Sequence, residues 1–292
     1  MAGQRAEVVI ANPSGISIDG AGFINASGVT LTTGTPALSG GHLESYRVQG
    51  GSVRVDGAGL DTASADYTAI LARAVQVNAG IWAKDLRVVT GANLITADEG
   101  AVTQVAQAGP APSFSLDVAA LGGMYAGKIT LVGTEAGLGV RNAGVVSATG
   151  NLAIDADGWL SNSGTLQAAG SARITAGGAV GNSGHLTAQT VTVTAHGIDN
   201  GASGAISGQA TSLHASGLLV NRGLIDGSRT RLDAAQIRNI GTGRVYGDDL
   251  GISADILLND VETVAGQTTA ATIAARERLD IGVGELTNRE HA

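Results

Sequence analysis

Apolar and polar positions alternate two by two along the C-terminal half of this chain, in short bursts that recur about every 20 residues. Three bursts travel together. One reads aliphatic-x-Asn: Val140/Asn142, Leu160/Asn162, Val180/Asn182, Ile198/Asn200, Leu219/Asn221 and Ile237/Asn239. The next reads Gly-x-aliphatic, from Gly144/Val146 through Gly164, Gly184, Gly204 and Gly223 to Gly243/Val245. The third reads aliphatic-x-Ala, from Ile154/Ala156 to Ile252/Ala254. The glycines step by 20, 20, 20, 19 and 20 residues. A fixed period in this range marks a solenoid, an extended stack of similar units.

Period-two alternation predicts a strand with one face buried. Three strands per repeat, separated by turns, predict a coil with three faces and about 20 residues. Stacked coils lay each strand in parallel on its equivalent, about 4.8 Å away. Ile154, Ile174, Val193, Leu213, Leu232 and Ile252 then form one interior file. The residues after them, Asp155, Thr175, Thr194, His214, Asp233 and Ser253, are mostly polar and belong on a solvated face. Asn before each turn suits a residue that bonds its own backbone two positions on and accepts positive φ. Its copies could also bond to one another along the stack. A helical repeat fails on spacing, on β-branched content and on its several glycines, each costing about 1 kcal/mol inside a helix. The leucine-rich L-x-x-L-x-L core is absent.

Composition agrees with a thin interior. The 292 residues are 43% hydrophobic but only 3% aromatic, with 45 glycines. A globular enzyme of this length fills a thicker core with more aromatics. Glycine does not fall at every third position, which excludes collagen. The net charge of −8 and scattered basic residues give no nucleic-acid footprint. The absence of cysteine removes disulfides, thiolate metal sites and cysteine nucleophiles. No apolar run approaches the roughly 20 residues of a membrane span. The opening MAGQRAEVVIANPSG lacks the charged-then-apolar pattern of a signal peptide.

Residues 7–36 alternate like strands around a tight turn at Asn12-Pro13-Ser14-Gly15. Asn12 can form an Asx-turn, Pro13 presets φ, and Gly15 accepts positive φ. This NPxG turn, Gly22-Phe23-Ile24-Asn25 and Leu31-Thr-Thr-Gly-Thr-Pro36 resemble the secretion domain of two-partner-secretion exoproteins, the filamentous haemagglutinin family. AVQVNAGIWAKDLRVVTGAN at 74–93, LGGMYAGKITLVGTEAGLGVRNAG at 121–144 and ARERLDIGVGELTNRE at 275–290 resemble it equally. That family includes contact-dependent growth-inhibition proteins. The resemblance implies an all-β fold, a right-handed parallel β-helix. It implies export through an outer-membrane transporter of the Omp85 type, and a non-enzymatic adhesin or haemagglutinin-like stalk at the cell surface. The stalk of a growth-inhibition toxin is the alternative. The surface receptor, on a host or a neighbouring cell, is left open. Asn12 carries over as a candidate for secretion. Residues 1–135 then form the C-terminal part of the secretion domain, and residues 136–292 the haemagglutinin repeats. The chain starts just before NPxG and stops at Glu290-His291-Ala292, where family members continue. The expectation is a fragment that is secretion-incompetent and aggregation-prone on its own.

Two stretches break the pattern. Residues 97–114, with Pro110 and Pro112, read as a loop leaving the coil or two irregular strands, and residues 260–274 as a second irregular stretch. Other chemistry is weak. Gly181-Asn182-Ser183-Gly184-His185 is a repeat corner rather than a nucleophile loop. Asp19-Gly-Ala-Gly22 and Asp56-Gly-Ala-Gly59, 37 residues apart and about two coils, lack the tandem nonapeptides of calcium β-rolls. Gly241-Thr-Gly243-Arg-Val-Tyr-Gly247 misses the dinucleotide spacing. Asp248-Asp249 stands alone, short of the carboxylate constellation of a polysaccharide-cleaving β-helix. His42, His185, His196, His214 and His291 are dispersed. No catalytic, cofactor or metal site is expected.

Overall fold

The computed structural model describes residues 4–289 and contains strands and turns but no helix. His291 and the terminal Glu290 and Ala292 lie outside the described residues. Among the described residues, then, no helix is long and apolar enough to cross a membrane. The chain divides into two compact units, Met1–Trp159 and Leu160–Ala292. Both are parallel β-solenoids, as the alternation predicts.

In the second unit one repeat makes one coil. Strands Leu160–Asn162, Thr165–Ala168 and Ser171–Ala176 pair with Ala179–Asn182, His185–Thr187 and Thr190–Ala195. The pairing is in parallel register, Leu160↔Val180, Thr165↔His185 and Ile174↔Val193. From Ala205 onward the corners stay extended, and each coil becomes one long strand: Ala205–Asn221, Leu224–Ile240, Arg244–Val264 and Thr272–Asn288. The file Ile174, Val193, Leu213, Leu232, Ile252 runs through the interior, each residue at most 3% exposed. Thr194, His214, Asp233 and Ser253 line up beside it on the outside. The stretch at 260–274 is a hairpin: Val261–Val264 pairs antiparallel with Gln267–Ala270 around Ala265-Gly266, both at positive φ. Arg222 holds it by a forked bond to the Glu262 carboxylate, 2.9 and 3.0 Å.

The first unit stacks coils in the same way. One file of strands runs Ala6–Ala11, Ala26–Thr32, Tyr67–Ala72, Asp85–Thr90, Lys128–Gly133, Leu152–Ala156. A second file carries Ile16–Gly22 onto Ser52–Asp61 and then onto Ala74–Val77 and Gly80–Trp82. A separate antiparallel sheet, in the order Val102–Gln104, Asn93–Thr96, His42–Val48, Thr35–Ser39, lies outside the coil. Pro36 sits in its edge strand, where a missing N–H breaks no ladder. Tyr46, Val48 and Ile95 of this sheet pack on Ala69, Leu71 and Val89 of the coil. That is why Tyr67–Ala72 is buried on both faces.

Arg73 and Glu135 tie the rest of the excursion down. Both are buried, at 3% and 7% exposure, and bonded at 2.8 and 3.2 Å. Arg73 also donates to the carbonyls of Ala108, Gly109 and Pro110 and to Gln107 Oε1. Glu135 accepts the Ala92 N–H. The stretch 97–114 is thus one short strand of the outer sheet followed by a loop latched to the coil. The other aromatics lie outside too. Tyr67, Trp82, Tyr125 and Trp159 cover Gly28, Gly80, Gly123 and Gly139, where a Cβ would meet the ring.

Candidate functional site

The turn at residues 12–15 joins the first strand of one file, Ala6–Ala11, to the first of the other, Ile16–Gly22. The Ser14 N–H donates to Asn12 Oδ1 at 3.1 Å, an Asx-turn, and the Gly15 N–H donates to the Asn12 carbonyl at 3.0 Å. Asn12 donates its own N–H to the Thr32 carbonyl of the next coil, 2.9 Å. Gly15 has φ +122°, and a Cβ there would sit 3.0 Å from the Ser52 carbonyl oxygen. Behind the turn, Gly51 (φ +74°) lets the Pro13 carbonyl approach; a Cβ on Gly51 would lie 2.6 Å from it. Thr33 Oγ1 donates to the Gly50 carbonyl, 2.8 Å. The backbone of 12–15 is fixed from inside while Asn12, Pro13 and Ser14 face solvent. The arrangement presents a rigid, uncharged knuckle.

The repeat asparagines point the other way. Asn142, Asn162, Asn182, Asn200, Asn221 and Asn239 are all buried. In the second unit they form a ladder: Asn162 Nδ2 donates to Asn182 Oδ1, Asn182 to Asn200, Asn200 to Asn221 and Asn221 to Asn239, each at 2.8 Å. The ladder continues to Asn259 at 2.8 Å and Asn288 at 2.7 Å. Sequence reading missed these last two, although Leu257/Asn259 and Leu286/Asn288 fit the aliphatic-x-Asn pattern. Asn259 keeps the 20-residue step from Asn239 and was open to the same reading; only Asn288, 29 residues further on, is displaced from the period by the hairpin at 261–270. Positive φ plays no part: among the described residues the non-glycines with positive φ are Asn25, Glu99 and Ala265. The following glycines are needed for close approach instead. A Cβ at Gly223 would collide with the carbonyls of Gly204 and Gly201.

Two other readings change. Asp19 and Asp56 are direct neighbours on adjacent coils, not two coils apart, because the outer-sheet hairpin at 35–48 absorbs the intervening length. Asp19 Oδ1 accepts the Ala58 N–H at 3.3 Å, and Asp56 is held by Asn78 and Arg54, whose bonds keep its carboxyl below the usual range. Asp248-Asp249 does not stand alone. Asp248 bonds Arg276 at 2.7 Å and Asp249 bonds Arg231 at 3.0 Å; these arginines hold both carboxyls low, so neither is a proton donor near neutral pH. His214 Nδ1 lies 3.5 Å from Asp233 Oδ1, and His196 Nδ1 3.2 Å from Ser216 Oγ; His42 and His185 are elsewhere. Among the described residues no group of three or more His, Asp or Glu is placed to hold a metal.

The family model for the TPS secretion domain matches residues 1–162, and that for the haemagglutinin repeat matches residues 185–241. Toxin CdiA of Yersinia pestis is 50% identical over 162 residues, 55% of this chain. The tRNA nuclease CdiA-2 of Burkholderia pseudomallei (strain 1026b) is 48% identical over 160 residues, 54% of this chain. Each match takes in 5% of the relative's length. A solved structure, the secretion domain of filamentous hemagglutinin, is 27% identical with a TM-score of 0.50, covering 80% of this chain and 68% of that one.

Proposed function

Because this chain belongs to the TPS secretion-domain family, we propose that it is the export-and-stalk portion of a secreted or surface-exposed two-partner exoprotein and performs no catalysis itself. Its partner is an outer-membrane transporter of the Omp85 type, which reads the knuckle at Asn12-Pro13-Ser14-Gly15. Residues 1–135 engage the transporter and residues 136–292 continue as stalk. The observation that carries this reading is the secretion-domain match over residues 1–162, together with a turn whose backbone is locked and whose face is open. An adhesin or haemagglutinin-like stalk is the first form of the proposal. The stalk of a contact-dependent growth-inhibition toxin is the second, favoured by relatives named as toxins and nucleases.

The test is binding of the purified chain to the periplasmic portion of the transporter that serves a CdiA relative. Saturable binding, weakened at least about tenfold by Asn12→Ala with the fold intact, is the expected result. Equal binding by wild type and Asn12→Ala would remove the knuckle from the mechanism. Turnover of pectin or a related glycan would reopen the enzymatic alternative.

A further inference from the structure

Both long insertions of the first unit leave the coil at one corner, the corner of the knuckle. Where the file begun by Ala6–Ala11 turns into the file begun by Ile16–Gly22, successive coils carry residues 12–15, 33–51, 73, 91–115 and 134–139. At the other two corners of this unit the longest connection among the described residues is 62–66. The loop after Val102–Gln104 lies along the same corner, against Gln49 and Gly50. The Ala108 N–H donates to the Gln49 carbonyl at 2.9 Å, and Gln49 Nε2 donates to the Ala106 carbonyl at 3.1 Å. A Cβ on Gly50 would lie 3.5 Å from the Ala108 carbonyl oxygen, and Gly51 is already against the Pro13 carbonyl. Knuckle, Gly50-Gly51 and loop thus form one continuous surface. Its members, residues 12–15, 49–51 and 106–112, include no charged side chain. Arg73 and Glu135, the charges beneath the loop, are buried and paired. Three of the chain's four prolines, Pro13, Pro110 and Pro112, stand on this surface.

We infer, resting on the export reading, that the loop at 106–112 is the second half of the docking face, and that the transporter meets both halves with an uncharged, aromatic-lined surface. Rigidity is the first argument. Residues 106–111 are all exposed and cover no core, yet the buried Arg73 donates to three of their carbonyls and to Gln107. A buried ion pair stabilises a fold poorly. One that fixes a segment with no packing role holds a surface in position, as the bonds behind the knuckle do. Continuity is the second. A partner that covers Asn12, Pro13 and Ser14 reaches the loop across Gly50 and Gly51, which carry no side chain to hold it off. Composition is the third. Exposed prolines on a fixed backbone lose little freedom on binding, and proline-rich segments dock on aromatic rings. With no charge at the contact, the attraction is short-ranged and indifferent to salt.

The chain has no cysteine, so a single introduced thiol reports its own burial. Ser14→Cys, Ala111→Cys and Leu121→Cys, the last at a 91% exposed position on another corner, would be labelled with a maleimide. Each is labelled alone and with the transporter of a CdiA relative in detergent. Saturating transporter should slow labelling of Ser14→Cys and Ala111→Cys at least about tenfold and leave Leu121→Cys unchanged. Ala111→Glu should weaken binding about tenfold. Wild-type affinity should change less than about twofold between low and high salt. Protection of Ser14→Cys with Ala111→Cys still open would overturn this inference and leave the knuckle as the contact. An open Ser14→Cys in a formed complex, or no complex at all, would remove the knuckle reading and this inference with it. A steep loss of affinity with salt would overturn the uncharged contact. Protection of Ala111→Cys by added chain alone would assign the face to a second copy instead.

Discussion

Asn221 shows what an inward-facing amide does for a stacked coil. Its side chain is fully buried, accepts from Asn200, and donates to Asn239 Oδ1 at 2.8 Å and to the Gly223 carbonyl at 3.2 Å. A primary amide carries an N–H donor at one end and an oxygen acceptor at the other, so each copy can donate to the next while accepting from the last, and the pattern repeats on itself along the stack. Aspartate in its place would set a buried carboxylate against the Asn239 carbonyl oxygen. Alanine would leave a buried acceptor unmet, at a cost of about 1–3 kcal/mol. We therefore expect Asn221→Ala to lower the denaturation midpoint and to raise amide exchange in the coils on both sides of it. Asn288→Ala, at the exposed end of the same ladder, should change stability by less than about 0.5 kcal/mol. Equal effects at the two positions would mean that the ladder follows the coil rather than supports it.

The antiparallel sheet of the first unit is an element the coil carries on its outer face. Its attachment combines an apolar patch centred on Tyr46 and Leu71 with the Arg73–Glu135 latch. Removing one member of a buried ion pair strands the other charge and costs about 3–5 kcal/mol, whereas replacing both with apolar residues is often neutral. Arg73→Met should destabilise the first unit and expose residues 105–113 to protease. Arg73→Met with Glu135→Leu should restore the denaturation midpoint but leave the loop cleavable, because the carbonyls of Ala108, Gly109 and Pro110 lose their donor either way. A protected loop in the double variant would show that the sheet, not the arginine, holds it. This element also marks where sequence reading ran out. In the second unit repeat and coil coincide, so Ile174, Val193 and Leu213 announce their file by spacing alone. In the first, Asn93–Thr96 pairs with a strand some 45 residues earlier, and nothing local encodes that partner. The same insertion made Asp19 and Asp56 look two coils apart. Asn12 was legible because an Asx-turn is local chemistry; the support from Thr33 and Gly51 was not, since it comes from the next coil.

At the scale of the whole molecule, stability in such a stack comes from each coil covering the one before it. The strand Thr272–Asn288 covers Arg244–Val264, with Leu279 on Leu250 and Leu286 on Leu257. Leu250 and Leu257 are fully buried, while Leu279 and Leu286, in the same inward file, are 48% and 53% exposed. Among the described residues no strand pairs with the outer edge of Thr272–Asn288. An open ladder edge beside exposed leucines is a template for another strand. The net charge of −8 works against association only at long range, and salt screens it. The chain should therefore self-associate, more strongly as salt rises, in light scattering or sedimentation. Leu279→Lys with Leu286→Lys should return it to a monomer, because lysine puts an unpaired charge in the path of any added coil while its methylene stem still covers Leu250 and Leu257. A wild-type chain that stays monomeric at high concentration and high salt would show that the last coil needs no cover. Association that survives the double substitution would place the contact elsewhere, with the exposed Trp82–Tyr125 pair, stacked at 6.1 Å in the first unit, the next surface to vary.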